Sequence, residues 1–126
     1  MTEAEVQAAI WLAVGALPDV RLFRNNQGVA TFAGGQRVKY GLANPGGSDL
    51  IGLRSVVVTP DMVGQKLAVF TALEVKTPAG RVEPEQRNFI EFVQRFGGIA
   101  GVVRSPDDAL RLVGKPGTQF VEAQHR

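Results

Sequence analysis

The chain predicts an α/β fold: a central mixed β-sheet flanked by helices, in the order α-β-β-β-α-β-α. Three observations predict it. The run "KLAVFTALEVK" (66–76) is long and apolar enough for a central strand. Beyond it, helical spacing, the apolar strand "IAGVVRS" and a further helical segment follow one another. Before it lies a series of short β-like pieces divided by Gly, Asn and Pro. With 126 residues, 44% of them hydrophobic and seven of them Phe, the chain suits one domain, 1–126, with a core of its own.

The elements follow in order. Thr2 can cap a first helix, and Thr2-x-x-Glu5 has capping-box spacing. Val6, Ala9, Ile10, Ala13 and Val14 recur at helical spacing and are expected to be its buried face, which Glu3 shares. Trp11 falls off that stripe, so an exposed Trp and a partner surface are expected there. "VRLFRN", "GVATFA" and "QRVKYGL" read as strands separated by "NQG" and "AGG", with Asn25 and Asn26 as turn residues. "NPGGSD" is a loop leading into the short strand "DLIGL". "RSVVVTPDMVGQK" reads as a strand end, a turn at Pro60-Asp61 and the start of the long strand. Pro84 suits the first turn of the next helix, with Phe89, Phe92, Val93 and Phe96 as its apolar stripe and Gly97-Gly98 as its stop. Ser105 and Pro106 open the last helix. Residues 115–126 show no pattern and are expected to be a flexible tail.

Composition narrows the function classes. Without Cys, neither a disulfide framework nor a thiolate metal site is available, which fits a reducing compartment. The apolar runs fall short of the ~20 residues a membrane span needs, and the acidic start is unlike a signal peptide. A cytoplasmic setting is expected, compatible with a bacterial or phage-infected cell. Net charge is only +2, but from Val20 to Ser48 there are four cations (Arg21, Arg24, Arg37, Lys39) and no acid. Asp49 comes next. A cationic segment leading to a lone carboxylate suits a phosphate-binding surface beside a metal, and a solvated basic hairpin is the rival reading.

The chemistry centres on Asp49, Glu74 and Lys76. If their strands pair as a hairpin, the carboxylates of Asp49 and Glu74 converge and favour a cation between them. Oxygen ligands without thiolate point to Mg²⁺ or Mn²⁺. Lys76, two residues past Glu74, projects from the same strand face, where it can orient water or stabilise charge on a phosphate. Glu3 adds a possible accessory carboxylate. Gln86, early in the following helix, is expected to point inward. Spacing alone leaves open a same-strand surface ion pair of little energetic value.

In order along the chain, "GGSDLIGL", "ALEVKTPAGR", "EPEQRNFIEFV" and "GGIAGVVRSPDDAL" resemble the virus-type replication-repair nuclease (VRR-NUC) family. That family belongs to the PD-(D/E)xK, restriction-endonuclease-like nucleases. "TEAEVQ" and "FRNNQGVA" resemble the family's N-terminal segment, so the resemblance runs from about Thr2 to Val113. It implies a restriction-endonuclease-like core and a Mg²⁺- or Mn²⁺-dependent DNA endonuclease. Asp49, Glu74 and the main-chain carbonyl of Val75 would hold the metal, Lys76 would be the catalytic lysine, and Gln86 would support the site. Glu3 would be an accessory metal group. Arg24, Arg37, Lys39, Arg81 and Arg104 are the expected DNA contacts. Ser48, not Pro, precedes Asp49, which departs from the superfamily's Pro-Asp pair. The resemblance further implies branched DNA, such as a four-way junction, as substrate and a homodimer as the working form. A nucleic-acid-binding module of the same fold without catalysis, or a purely structural protein, are the alternatives from other classes.

Overall fold

The computed structural model describes residues 2–114, so the expected tail, 115–126, lies outside the described residues. The chain divides into two compact units, Met1–Arg54 and Ser55–Arg126.

The first unit opens with helix α1, Glu3–Gly15. Its capping box is formed: the Glu5 carboxylate accepts from the Thr2 N–H at 2.8 Å, and the Thr2 hydroxyl accepts from the Glu5 N–H at 3.2 Å. Strands β1 (Val20–Arg24), β2 (Gly28–Thr31), β3 (Arg37–Tyr40) and β4 (Leu50–Arg54) follow. β2 and β3 form the antiparallel hairpin expected at "AGG", where Gly35 takes a φ of +83° and Phe32 N–H donates to Gln36 O at 2.8 Å. "NQG" makes no such hairpin. β1 instead pairs antiparallel with β4, from Val20↔Arg54 to Arg24↔Leu50.

The expected inner face of α1 is overturned. Val6 and Ile10 are 41% and 44% exposed, while Gln7, Trp11 and Val14 are half-buried. The helix is apolar on nearly every side, so its periodicity does not select a face. Packing of α1 against β1 selects it, and the Arg24 guanidinium lies 5.6 Å from the centroid of the Trp11 ring. Trp11 is therefore engaged within its own unit.

The second unit departs most from expectation at its start. The long strand expected from Lys66 is reduced to β5, Thr71–Val75, while the turn expected at Pro60-Asp61 forms as a 3₁₀ turn at Pro60–Met62. Pro at the turn's start removes a ladder donor, and the Thr59 hydroxyl donates to the Asp61 carboxylate, which favours the turn over extension. Helix α2 (Pro84–Arg95) crosses to strand β6 (Ile99–Val103), and helix α3 (Pro106–Val113) follows. β5 and β6 run parallel, in register from Thr71↔Ile99 to Val75↔Val103, so β5-α2-β6 is a crossover unit. The core sits here: Val93 of α2, Ile99, Ala100 and Val103 of β6, and Leu112 of α3 are buried.

The fold is thus α/β, with both antiparallel and parallel pairing. Five strands, not three, precede α2, and the described strands form three two-stranded sheets, β1-β4, β2-β3 and β5-β6, where one central sheet was expected. Among the described residues, β4, which follows Asp49, pairs with β1, and β5, which carries Glu74, pairs with β6; the expected hairpin is not among these ladders.

α3 starts at the expected cap, with the Ser105 hydroxyl accepting from Asp108 N–H at 3.1 Å. The Asp108 carboxylate accepts from Arg104 N–H at 2.9 Å and from the Arg111 guanidinium. The Arg104 N–H foremost, with Arg111, holds the Asp108 carboxyl below its ordinary value of 3.8. A carboxyl lowered in the folded state stabilises the fold above its unfolded pKa, and that contribution is lost as pH falls through the folded value. Asp108→Asn is expected to flatten the loss of stability below pH 3.8, read by urea denaturation at successive pH values.

Candidate active site

In the second unit, β5 carries Glu74 and Lys76 at its end. Positions two apart on a strand share a face, and the pair does: Lys76 Nζ stands 3.8 Å from Glu74 Oε2. Their side chains are only 19% and 29% exposed for Lys76 and Glu74 respectively, whereas Leu73 and Val75 are 40% and 73% exposed. The usual order of a half-buried strand is reversed, with the charged face inward and the apolar face outward. At 3.8 Å the pair is an ion pair without a hydrogen bond. Nothing else among the described residues bonds to the Glu74 carboxylate, so it keeps free lone pairs in a partly desolvated place. That setting resembles a ligand position more than a surface ion pair.

Lys76 is held from below. Its N–H donates to Val103 O at 3.1 Å, extending the β5-β6 ladder by one bond. The following loop, 77–80, is gathered by Arg104 from the end of β6. One guanidinium nitrogen, Nη1, donates to Thr77 O at 2.7 Å, Gly80 O at 2.9 Å and Pro78 O at 3.3 Å. Sequence reasoning placed Arg104 as a DNA contact; the structure shows a strap on the loop that leaves Lys76.

Gln86 is half-buried on the first turn of α2, as expected. Its side chain also has a local partner: Oε1 accepts from Glu83 N–H at 2.9 Å, closing the start of the helix. The spacing Glu83-x-x-Gln86 carried that signal, since a Gln at the third helical position is half of a capping box.

In the first unit, Asp49 lies exposed immediately before β4. Its carboxylate makes no hydrogen bond or ion pair among the described residues. Its backbone is fixed, because Asp49 O accepts from Asn25 N–H at 2.9 Å, one step beyond the last rung of the β1-β4 ladder. The loop before it is tied by side chains that sequence reasoning assigned to a turn. Asn25 Nδ2 donates to Leu42 O and Ser48 O at 2.9 and 3.0 Å, and Asn25 Oδ1 accepts from Leu42 N–H at 2.8 Å. Gln27 Nε2 donates to Gly47 O at 2.7 Å. Gly47 is required there, since a Cβ would run into Leu42 O. No sequence signal distinguishes such long-range carboxamide bonds from a local Asx turn.

Among the remaining expected residues, Glu3 is exposed on the first turn of α1. Arg37 and Lys39 are exposed on one face of β3, Arg24 caps the Trp11 ring, and Arg81 is exposed in the loop before α2. Among the described residues, no group of three or more His, Asp or Glu side chains gathers within either unit. The Asp49 and Glu74 carboxylates accept no hydrogen bond among the described residues, a condition they share with Glu3, Glu85, Glu91 and Asp107, whereas Glu5, Asp19, Asp61 and Asp108 are bonded to their own neighbours. Asp49 and Glu74 are hard oxygen donors, which fits Mg²⁺ or Mn²⁺.

A half-buried Glu-x-Lys at the end of the strand that opens a parallel β-α-β unit is an arrangement that an α/β nuclease can use. The family model of the VRR-NUC domain matches residues 14–107, and the chain belongs to that family. The match takes in Asp49, Glu74, Lys76, Gln86 and Arg104 and leaves Glu3 outside. No curated protein and no solved structure is similar enough to add a second comparison.

The strap has a measurable consequence. Arg104→Ala strands three carbonyls and is expected to lower unfolding free energy by roughly 1–2 kcal/mol. Arg81→Ala, just beyond that loop and without a hydrogen bond among the described residues, should leave it unchanged in the same urea titration.

Proposed function

We propose that the protein is a divalent-metal-dependent endonuclease that hydrolyses phosphodiester bonds in branched DNA. The observation that carries this reading is the inward-facing, half-buried Glu74–Lys76 pair on β5 in a chain of the VRR-NUC family. The family's nuclease character makes DNA the substrate. Asp49, Glu74 and the main-chain carbonyl of Val75 would hold Mg²⁺ or Mn²⁺, an assignment that rests on the order of the family's motifs. The bound ion would supply Lewis acidity toward the scissile phosphate.

The residues of this chain have separate tasks. The Lys76 ammonium stabilises the negative charge that builds up on the phosphate oxygens and orients the incoming water. Its partly desolvated setting strengthens both effects relative to an exposed lysine. Gln86 holds the start of α2, the helix that follows the catalytic strand, and supports the site from there. Arg24, Arg37, Lys39 and Arg81 bind phosphates along the strand without reading bases, and Arg104 acts on the substrate by fixing the loop beyond Lys76. Glu3 lends an accessory carboxylate toward the metal. The location of this activity is the cytoplasm.

A homodimer fits a four-way junction, because a twofold axis would present two sites to two strands symmetrically. The segment before β5 supports it. Val56, Val57, Val58, Val63 and Leu67 of this segment are all exposed, Val57 at 86% and Val63 at 82%, apolar side chains that a second copy could cover.

Incubation of the pure protein with four-way-junction and linear duplex DNA in Mn²⁺ tests the activity. Wild type is expected to cut the junction, with Asp49→Ala and Lys76→Ala each slower by at least about 10²-fold; equal cutting by all three would overturn the assignment. Light scattering should find a dimer for wild type and a monomer for the Val57→Asp, Val63→Asp double variant. A wild-type monomer at working concentration would refute the dimer.

A further inference from the structure

We propose that Asn25 is a positioning residue for Asp49, acting on the metal-holding role of that acid without touching metal or substrate. The inference rests on the reading of Asp49 given above and goes beyond it, to the group that sets the acid's place.

The geometry lies wholly within the first unit. Asn25 stands one residue past β1, and its backbone N–H donates to Asp49 O at 2.9 Å. That bond fixes the peptide from which the Asp49 side chain departs. The carboxamide then holds both ends of the loop leading to Asp49. Nδ2 donates to Ser48 O, the residue directly before the acid, at 3.0 Å, and to Leu42 O at 2.9 Å, while Oδ1 accepts from Leu42 N–H at 2.8 Å. Both amide protons and one oxygen lone pair are engaged, most of what the side chain can offer. Asp49 itself is exposed, and no neighbouring side chain orients its carboxylate among the described residues. Its orientation is therefore inherited from the backbone on either side, and Asn25 holds that backbone at both residues 48 and 49.

Asn44 gives the contrast within the same loop. Its Nδ2 donates to Gly28 O at 2.9 Å and Tyr40 O at 2.8 Å, two bonds that tie the loop to β2 and β3 and not to Ser48 or Asp49. Loss of Asn44 should cost stability alone. Loss of Asn25 should cost stability and also the pre-set direction of the carboxylate.

The test is Mn²⁺ binding to the full chain, followed by electron paramagnetic resonance of the free ion, beside amide hydrogen exchange without metal. Wild type, Asn25→Ala, Asn25→Ser, Asn44→Ala and Asp49→Ala are compared. Asn25→Ala is expected to weaken Mn²⁺ binding by about tenfold or more, as removal of a group that orients a ligand commonly does. Asn25→Ser, with one hydroxyl for one carbonyl, should fall between it and wild type, and it carries the test if Asn25→Ala does not fold. The Leu42 amide should exchange faster in both Asn25 variants. Asn44→Ala should show the melting-temperature loss without the change in affinity. A dissociation constant that shifts in Asp49→Ala but stays at the wild-type value in the Asn25 variants would overturn this inference alone. Wild-type affinity in Asp49→Ala would overturn the role of Asp49 and this inference with it.

Discussion

A backbone carbonyl that leaves a ladder still needs a donor, and one loop in each unit meets that need with a single side chain. Asn25 gathers Leu42 and Ser48 ahead of Asp49, and Arg104 gathers Thr77, Pro78 and Gly80 after Lys76. Each donor stands at the end of the strand that pairs with the site strand: Asn25 after β1, beside β4, and Arg104 after β6, beside β5. Pairing brings the donor to the loop, and the loop then holds the residue beside it, Asp49 in one unit and Lys76 in the other. The two units solve the same problem with different chemistry, a neutral carboxamide in one and a guanidinium in the other. Without these bonds, glycine-rich and proline-containing loops would have little to hold them in one conformation.

The charged face of β5 follows from its neighbours. In a parallel pair joined by a crossover helix, the strand side under the helix is closed off first. β6 is buried on both faces: Ile99 and Val103 pack with Ala109 and Leu112 of α3, and Ala100 lies on the opposite face. On β5 it is Ala72, Glu74 and Lys76 that lie on the less exposed side. A fold built only for stability would place Leu73 and Val75 there, since burying charge carries a desolvation penalty. The inversion is a local conflict between pattern and burial of the sort that accumulates at working sites.

Much of the fold was legible in the sequence because local chemistry decided it. The Thr2–Glu5 capping box, Pro84 and Pro106 at helix starts, Gly97 with its φ of +93° after α2, and the "AGG" hairpin all formed where their residues required. What failed did so where local signals were ambiguous. α1 is apolar on most sides, so only packing chose Trp11 and Gln7 over Val6 and Ile10. The turn at Pro60-Asp61 formed where expected, but the run from Lys66, which looked continuous, became strand only from Thr71. For the candidate site, spacing and motif order singled out Asp49, Glu74 and Lys76, whereas Asn25 was assigned to a turn and Arg104 to DNA contact.

By itself the sequence determined the element types, the caps, the shared face of Glu74 and Lys76 and the membership of the VRR-NUC family. These depend on residues within a few positions of one another, or on an order of motifs that survives without coordinates. Only the tertiary structure decided that β1 pairs with β4, that β5 turns its charges inward, and that Asn25 and Arg104 hold the loops. The loop bonds join residues 17 to 27 positions apart and the β1-β4 ladder residues 26 to 34 apart, all through main-chain carbonyls. Every residue offers such a carbonyl, so no side-chain pattern in the sequence marks the one that will be used.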